Sequence, residues 1–292
     1  MGRSIQTGLS LGPDCAPPRP APRGPGTGRI ALGLAYHGGS YQGWQSQPNG
    51  RTVQDHVEAA LERFACAPLR TVCAGRTDAG VHACNQVVHF DPAVLREPHA
   101  WVRGTNRYLP LDIAVQWCRS VDQGFHARNA ARGRRYRYVL LESAVRPSLE
   151  TGRAGWVFRP LDLQAMTRAG ALLLGEHDFS SFRSSQCQAA SPVKTLRSIA
   201  VRRAGAYWLF DFEASAFLHH MVRNIMGCLV AIGQGGRPVA WISAVLQARD
   251  RNAAAPTFSP DGLYFLGPYY DAQHEIPDHT PSMDGIFPTT TR

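Results

Sequence analysis

Apolar and polar residues alternate at Ile30, Leu32, Leu34 and Tyr36, the period of two that marks a half-buried strand. A Gly-rich stretch follows, His37-Gly38-Gly39-Ser40-Tyr41-Gln42-Gly43-Trp44-Gln45, and the period then lengthens. Val53, Val57, Ala60, Leu61 and Phe64 recur at helical spacing, with Thr52 placed to cap the first turn and Gln54 and Asp55 as capping or solvated residues. Residues 71–74 and 86–90 suit strands, and the loop between them holds Gly75, Arg76, Thr77, Asp78 and Gly80. A helix is predicted over about 98–108, then a strand through Ile113, Val115 and Trp117. In Arg134-Arg135-Tyr136-Arg137-Tyr138-Val139-Leu140, a strand puts Arg135, Arg137 and Val139 on one face and Tyr136, Tyr138 and Leu140 on the other. Pro160-Leu161-Asp162 opens a helix to about residue 174, and 196–203 and 207–215 read as strands. Phe217 to Gly227 opens an apolar helix that continues through Leu229, Val230 and Ile232. Another helix starts after Pro238, and Gly262-Leu263-Tyr264-Phe265 forms the last strand.

The order strand, helix, paired strands occurs twice, and no GxGxxG loop or doubly wound pattern appears. The expected class is therefore α+β, with an N-terminal half over 29–127 and a C-terminal half over 128–272. At 292 residues and 44% hydrophobic content, two domains with sizeable cores are expected. Residues 1–28 are rich in Pro, Gly and Arg and 273–292 are polar with several prolines, so both are expected to be disordered tails.

The net charge of +9 changes the picture, because a basic surface fits a polyanion, nucleic acid first. Of the 31 basic residues only Lys194 is a lysine. Arginine forks onto phosphates and stacks on bases, although genome composition gives the same bias. The seven cysteines, Cys15, Cys66, Cys73, Cys84, Cys118, Cys187 and Cys228, form no Cys-x-x-Cys pair and several lie in apolar contexts. Reduced thiols in a cytoplasmic protein are expected. No long apolar run predicts a membrane span, and the N-terminus lacks the apolar core of a signal peptide.

The candidate chemistry centres on Asp78, two residues from Arg76 in a loop whose glycines permit tight turns and close approach to a ligand. A plain turn, with Asp78 bonding its own backbone, fits the same residues. Exposed Tyr41 and Trp44 would stack on or bond to bases, with buried packing as their competing role. Arg135 and Arg137, backed by tyrosines, suit an RNA-reading surface. A solvated basic face over a Tyr-lined core fits equally. Phe179 and Phe182 read as core, and Arg183 beside them as a phosphate contact. Arg223, a strong charge inside an apolar helix, needs a partner.

Ala74-Gly75-Arg76-Thr77-Asp78-Ala79-Gly80-Val81-His82 resembles the signature of the tRNA pseudouridine synthase A (TruA) family. Tyr41-Gln42-Gly43-Trp44-Gln45, Arg135-Tyr136-Arg137-Tyr138 and Gly175-Glu176-His177-Asp178-Phe179-Ser180-Ser181-Phe182 resemble its further motifs, so the likeness spans roughly 29–270. The resemblance implies two ferredoxin-like, RRM-like halves whose antiparallel strands form a shared central sheet, with helices on its outer face and the active-site cleft between the halves. It implies isomerisation of uridine to pseudouridine at positions 38 to 40 of the tRNA anticodon stem-loop, without a cofactor, by a homodimer. Asp78 is then the catalytic carboxylate and Arg223 its counter-ion, through a planar two-pronged contact that favours the ionised form. Tyr136 would stack on the target base, Leu263 would pack against it, and Arg76 would fill the space left when the base is extruded. Tyr136 or Asp78 would remove the C5 proton.

Two other classes compete. A metal-dependent hydrolase would use Asp78, His82, His177 and His219 or His220, but no HExxH-type spacing occurs and no metal is expected. A non-catalytic basic RNA-binding protein explains the charge and the aromatics, yet gives Asp78 and Arg223 no task.

Overall fold

The structure, a computed structural model, describes residues 28–94 and 96–278. Strand β1 (Arg29–Tyr36) leads through the Gly-rich loop to helix α1 (Val53–Ala65). Thr52 and Asp55 cap α1 reciprocally, each side chain accepting from the other's backbone N–H, which satisfies donors the first turn leaves free. Strands β2 (Val72–Cys73) and β3 (His82–Phe90) flank the Asp78 loop. Helix α2 (Pro98–Asn106) then leads to β4 (Ile113–Val121). It ends earlier than the periodicity predicts, and Asn106 turns its amide to both the N–H and the carbonyl of Val115.

The chain continues through β5 (Gly133–Glu142), the short β6 (Gly155–Val157), α3 (Leu163–Ala171) and the short β7 (Gly175–Asp178). Asp162 caps α3 by accepting from the N–H of Ala165. Next come β8 (Val193–Ala204), β9 (Tyr207–Ala214), α4 (Met221–Gly233), α5 (Trp241–Ala248) and β10 (Leu263–Tyr269). No helix among the described residues is long and apolar enough to cross a membrane.

These strands form one sheet in the order β4-β1-β3-β10-β5-β9-β8-β7, with β2 added to β3 and β6 to β5. The last strand of the sequence lies near the middle, antiparallel to β5 and parallel to β3. The shared sheet is therefore not wholly antiparallel, as the resemblance implied. β3 and β5 run in opposite directions, so any strand inserted between them must be parallel to one. That insertion also explains why β3 begins at His82 rather than near Gln86: His82 pairs with Tyr264 and Ala83 with Phe265.

One large core covers one face of the sheet and takes residues from all five helices, including Val57, Trp101, Met166, Ile225 and Ile242. The other face carries two small clusters, one around Val139, Leu141, Leu209 and Tyr264, the other around Val87, Trp117 and Phe125. The expected N-terminal tail over 1–28 lies outside the described residues apart from Gly28. The expected C-terminal tail starts too early at 273: His274 packs its ring 5.3 Å from Phe125, Ile276 joins the same cluster, and Asp278 pairs with Arg135. Apolar Ile276 anchors a stretch whose composition reads as polar.

Candidate active site

The loop between β2 and β3 is braced from below. Gln86, fully buried on β3, donates its amide to the carbonyl of Gly75 and accepts from the Gly75 N–H at 3.4 Å. The hydroxyls of Tyr36 and Thr77 meet at 2.8 Å. The Gly-rich loop after β1 packs against this one: the Trp44 N–H donates to the carbonyl of Thr77 at 3.0 Å and the Gly80 N–H to that of Tyr41 at 3.3 Å. Gly43, at φ +83°, makes the approach possible, because a Cβ there would stand 2.7 Å from the Thr77 oxygen. Tyr41 and Trp44 are therefore buried supports of the Asp78 loop, which corrects the reading of both as exposed base-stacking residues. Tyr41 spends its hydroxyl on Asp112 at 2.5 Å.

The facing wall comes from the segment before α4 and its first turn. Arg223 donates Nη1 to Asp78 Oδ2 at 3.1 Å and Nε to the carbonyl of Phe258 at 2.9 Å. Its fork is thus divided between two partners, not closed on both carboxylate oxygens as the two-pronged contact required. Both side chains are largely enclosed, at 13% exposure for Arg223 and 16% for Asp78. His219 and His220 bring their Nε2 atoms to 3.4 and 3.6 Å from the two Asp78 oxygens.

Tyr136 completes the cleft. Its ring lies 5.0 Å from Phe217, edge on, and 4.9 Å from Phe265. Burial, and then the Asp78 charge, raise its phenol far above the ordinary tyrosine range. Leu263 is buried in the main core at the start of β10, paired with Tyr138.

The arginines disperse. Arg76 is exposed at the cleft mouth and donates to Gln188 at 3.2 Å. Arg183 spends its guanidinium on its own loop, at the carbonyls of Cys187 and Ala189. Arg135 and Arg137 face away from Tyr136, as the alternation predicts, and pair with Asp278 and Asp211. They therefore lie on the face of β5 opposite to Tyr136. Arg134 shares the face of Tyr136 instead. Among the described residues it has no carboxylate partner, and it donates to the carbonyls of Ser215, Ala74 and Arg128 at 3.0, 3.1 and 2.8 Å, while burial lowers its pKa. Sequence reasoning missed Arg134 and Gln86. It weighed His219 and His220 only as metal ligands, although they stand just before Arg223.

Of the residues weighed for a metal, Asp78, His219 and His220 converge, with donor atoms within 4.8 Å of one another. Arg223 and the N-terminal end of α4 put positive potential where a cation would sit. His82 has both nitrogens engaged, Nδ1 accepting from the Gly38 N–H and Nε2 donating to the Asp261 carbonyl, and burial pushes its pKa down to about 4. His177, on β7, bonds the carbonyl of Leu174. Six cysteines are free among the described residues, and Cys15 lies outside them.

Asp78, enclosed by Arg223, His219 and His220, lies in the loop that leads into β3, the strand with which β10 pairs in parallel. The sequence profile of a family described as tRNA pseudouridine synthase matches residues 34–128 and 169–271. The chain is 70% identical over 258 residues to a tRNA pseudouridine synthase A of Methylibium petroleiphilum, covering 88% of this chain and 99% of that one. Proteins of the same name from Polaromonas naphthalenivorans and Paracidovorax citrulli are 63% and 61% identical, each over 88% of this chain and 99% of their own. Among solved structures, that of a Cbf5-Nop10-Gar1 complex overlays on 81% of this chain and 48% of its own at a TM-score of 0.34 and 12% identity, a likeness too slight to bear on the fold. The chain belongs to the tRNA pseudouridine synthase family. Membership sets aside both the metal-dependent hydrolase and the non-catalytic RNA-binding protein.

Proposed function

We propose that Asp78 is the nucleophile with which this enzyme isomerises uridine to pseudouridine in the anticodon stem-loop of tRNA. The reaction breaks the bond from N1 to the ribose C1′ and reattaches the same base through C5. Nothing is oxidised and no group is exchanged, so one carboxylate and a way of holding the detached base suffice. Asp78 attacks either C1′ or the base, and both fit a carboxylate in an enclosed cleft. Arg223 is its counter-ion, and dividing its fork between Asp78 and the Phe258 carbonyl sets where the charge lies.

Tyr136 stacks on the base with a ring already fixed by Phe217 and Phe265, and Leu263 supports the same pocket. Arg76 at the mouth is free to leave Gln188 and occupy the gap the extruded uridine leaves. The same reading makes the enzyme a cytoplasmic homodimer that grips one tRNA across both subunits. The observation that carries the assignment is the Asp78–Arg223 pair at 3.1 Å inside the family signature.

The test is Asp78→Asn assayed on transcribed tRNA. The expected outcome is no pseudouridine with tRNA affinity nearly unchanged, because binding is spread over many arginines. Melting is measured first, since the change leaves Arg223 without its counter-ion. A folded variant that still isomerises uridine sinks the assignment. One that loses tRNA binding makes Asp78 a residue that orders the loop.

A further inference from the structure

His219 and His220 are consecutive, yet both aim Nε2 at one carboxylate. Consecutive side chains diverge in a helix or a strand. Here His220 lies in the left-handed region, at φ 64° and ψ 2°, which folds its ring back beside that of His219 with centroids 4.0 Å apart. A non-glycine residue is seldom held there, and such residues cluster at functional sites. Core packing does not account for the strain, because the two side chains are 35% and 29% exposed. They line the cleft beside Asp78, within reach of whatever Asp78 touches.

The isomerisation ends with a further proton transfer. Once C5 is joined to C1′ it carries both the sugar and its original hydrogen, and that proton must leave. Tyr136 is a poor acceptor, since burial and the Asp78 charge keep its phenol protonated. We propose that the His219–His220 pair is the general base that takes the C5 proton, a proposal that rests on the reading of Asp78 as nucleophile. An imidazole Nε2 receives the proton as the C5–H bond breaks. The electron pair of that bond forms the C5=C6 double bond, the C6=N1 π pair withdraws to N1, and N1 takes a proton from water. Nothing is gained or lost overall.

The charges around the pair suit this task. Burial lowers the pKa of His220, Asp78 opposes that, and His219, Arg223 and Arg251 reinforce it. The ring is therefore neutral at neutral pH, with its acceptor available. Asp78 lies at the right distance to stabilise the imidazolium that forms.

The experiment uses the full-length enzyme and tRNA transcripts carrying either hydrogen or deuterium at uridine C5, with rates read in single turnover. The variants are His219→Gln, His220→Asn and the double variant, asparagine being chosen because it tolerates the left-handed backbone. The expected result for the double variant is an unchanged tRNA dissociation constant, a rate lowered about 100-fold or more, and a deuterium isotope effect larger than that of the wild type. Wild-type turnover overturns the proposal. So does a loss of rate with no larger isotope effect, which is what a merely structural role produces. Should the double variant melt early, the single variants are read by the same two measures. Activity in Asp78→Asn removes the parent reading. An inactive Asp78→Asn beside a fully active double histidine variant removes this proposal alone.

Discussion

Arg134 and Arg137 stand three residues apart on β5, in one basic run, and the pleat sends them to opposite sides of the sheet. Arg137 is on the outer face, held by Asp211 at 2.6 Å, a carboxylate that also takes Arg202 at 2.9 Å. Arg134 is on the cleft face, with no carboxylate partner among the described residues, bonded to three backbone carbonyls. Two of those carbonyls belong to the two walls of the site. Ala74 leads into the Asp78 loop and Ser215 into the segment carrying His219, His220 and Arg223. The outer arginine is neutralised where it sits. The inner one spends its guanidinium on backbone and so ties the cleft walls together. A basic run on a strand is therefore two populations with different tasks, and the cleft face should answer to mutation far more than the outer one.

The largest contrast is expected at Arg223→Lys. A lysine keeps the charge but cannot reach both Asp78 and the Phe258 carbonyl, so one hydrogen bond to a charged group is lost. Such bonds are worth about 1.5–3 kcal/mol, so kcat should fall about 10-fold to 100-fold while tRNA affinity holds. Wild-type kcat in this variant would mean that the charge alone matters and its direction does not.

Next is Arg134→Ala. Two part-buried carbonyls and one exposed one lose their donor, at about 0.5–1.5 kcal/mol per hydrogen bond, so the melting temperature should drop by several degrees, at roughly 2–4 °C per kcal/mol. Because the walls lose their tie, kcat should fall about tenfold with a smaller change in KM. Added methylguanidinium should restore part of kcat. Destabilisation without a fall in kcat, or a loss that methylguanidinium does not touch, would reduce Arg134 to a structural residue and weaken the contrast.

How much of this was legible in the sequence depended on distance along the chain. The periods of two and 3.6 placed most strands and helices, because those patterns are local. The central position of β10 was not legible, since its partners in β3 lie far away in sequence and no turn announces them. Tyr41 and Trp44 read as surface because a Gly-rich loop with aromatics usually is. What buries them is remote: the Tyr41 hydroxyl goes to Asp112, 71 residues on. Asp78 and Arg223, 145 residues apart, could be paired only through the family resemblance. The alternation of β5 separates Arg135 and Arg137 from Tyr136 and, by the same period, puts Arg134 on the face of Tyr136. His219 and His220 converge because of one left-handed residue, and a histidine gives no local sign of that backbone.

The smallest effect is expected at Arg137→Ala. The variant keeps Tyr136 and Arg134 in place, because the change lies on the other face of the same strand. It removes one arginine from Asp211, which retains Arg202 as a partner, so no buried charge is stranded. Partly exposed ion pairs contribute about 0–1 kcal/mol, so the melting temperature should move by only a few degrees. Turnover on transcribed tRNA should equal that of the wild type, and the salt dependence of binding should be unchanged, because Arg137 already has a protein carboxylate in place of a phosphate. If Arg137→Ala instead weakened tRNA binding and flattened its salt dependence, the outer face would be an RNA surface whose acidic partners exchange for phosphates on binding. The two faces of β5 would then differ in what they bind, not in whether they bind.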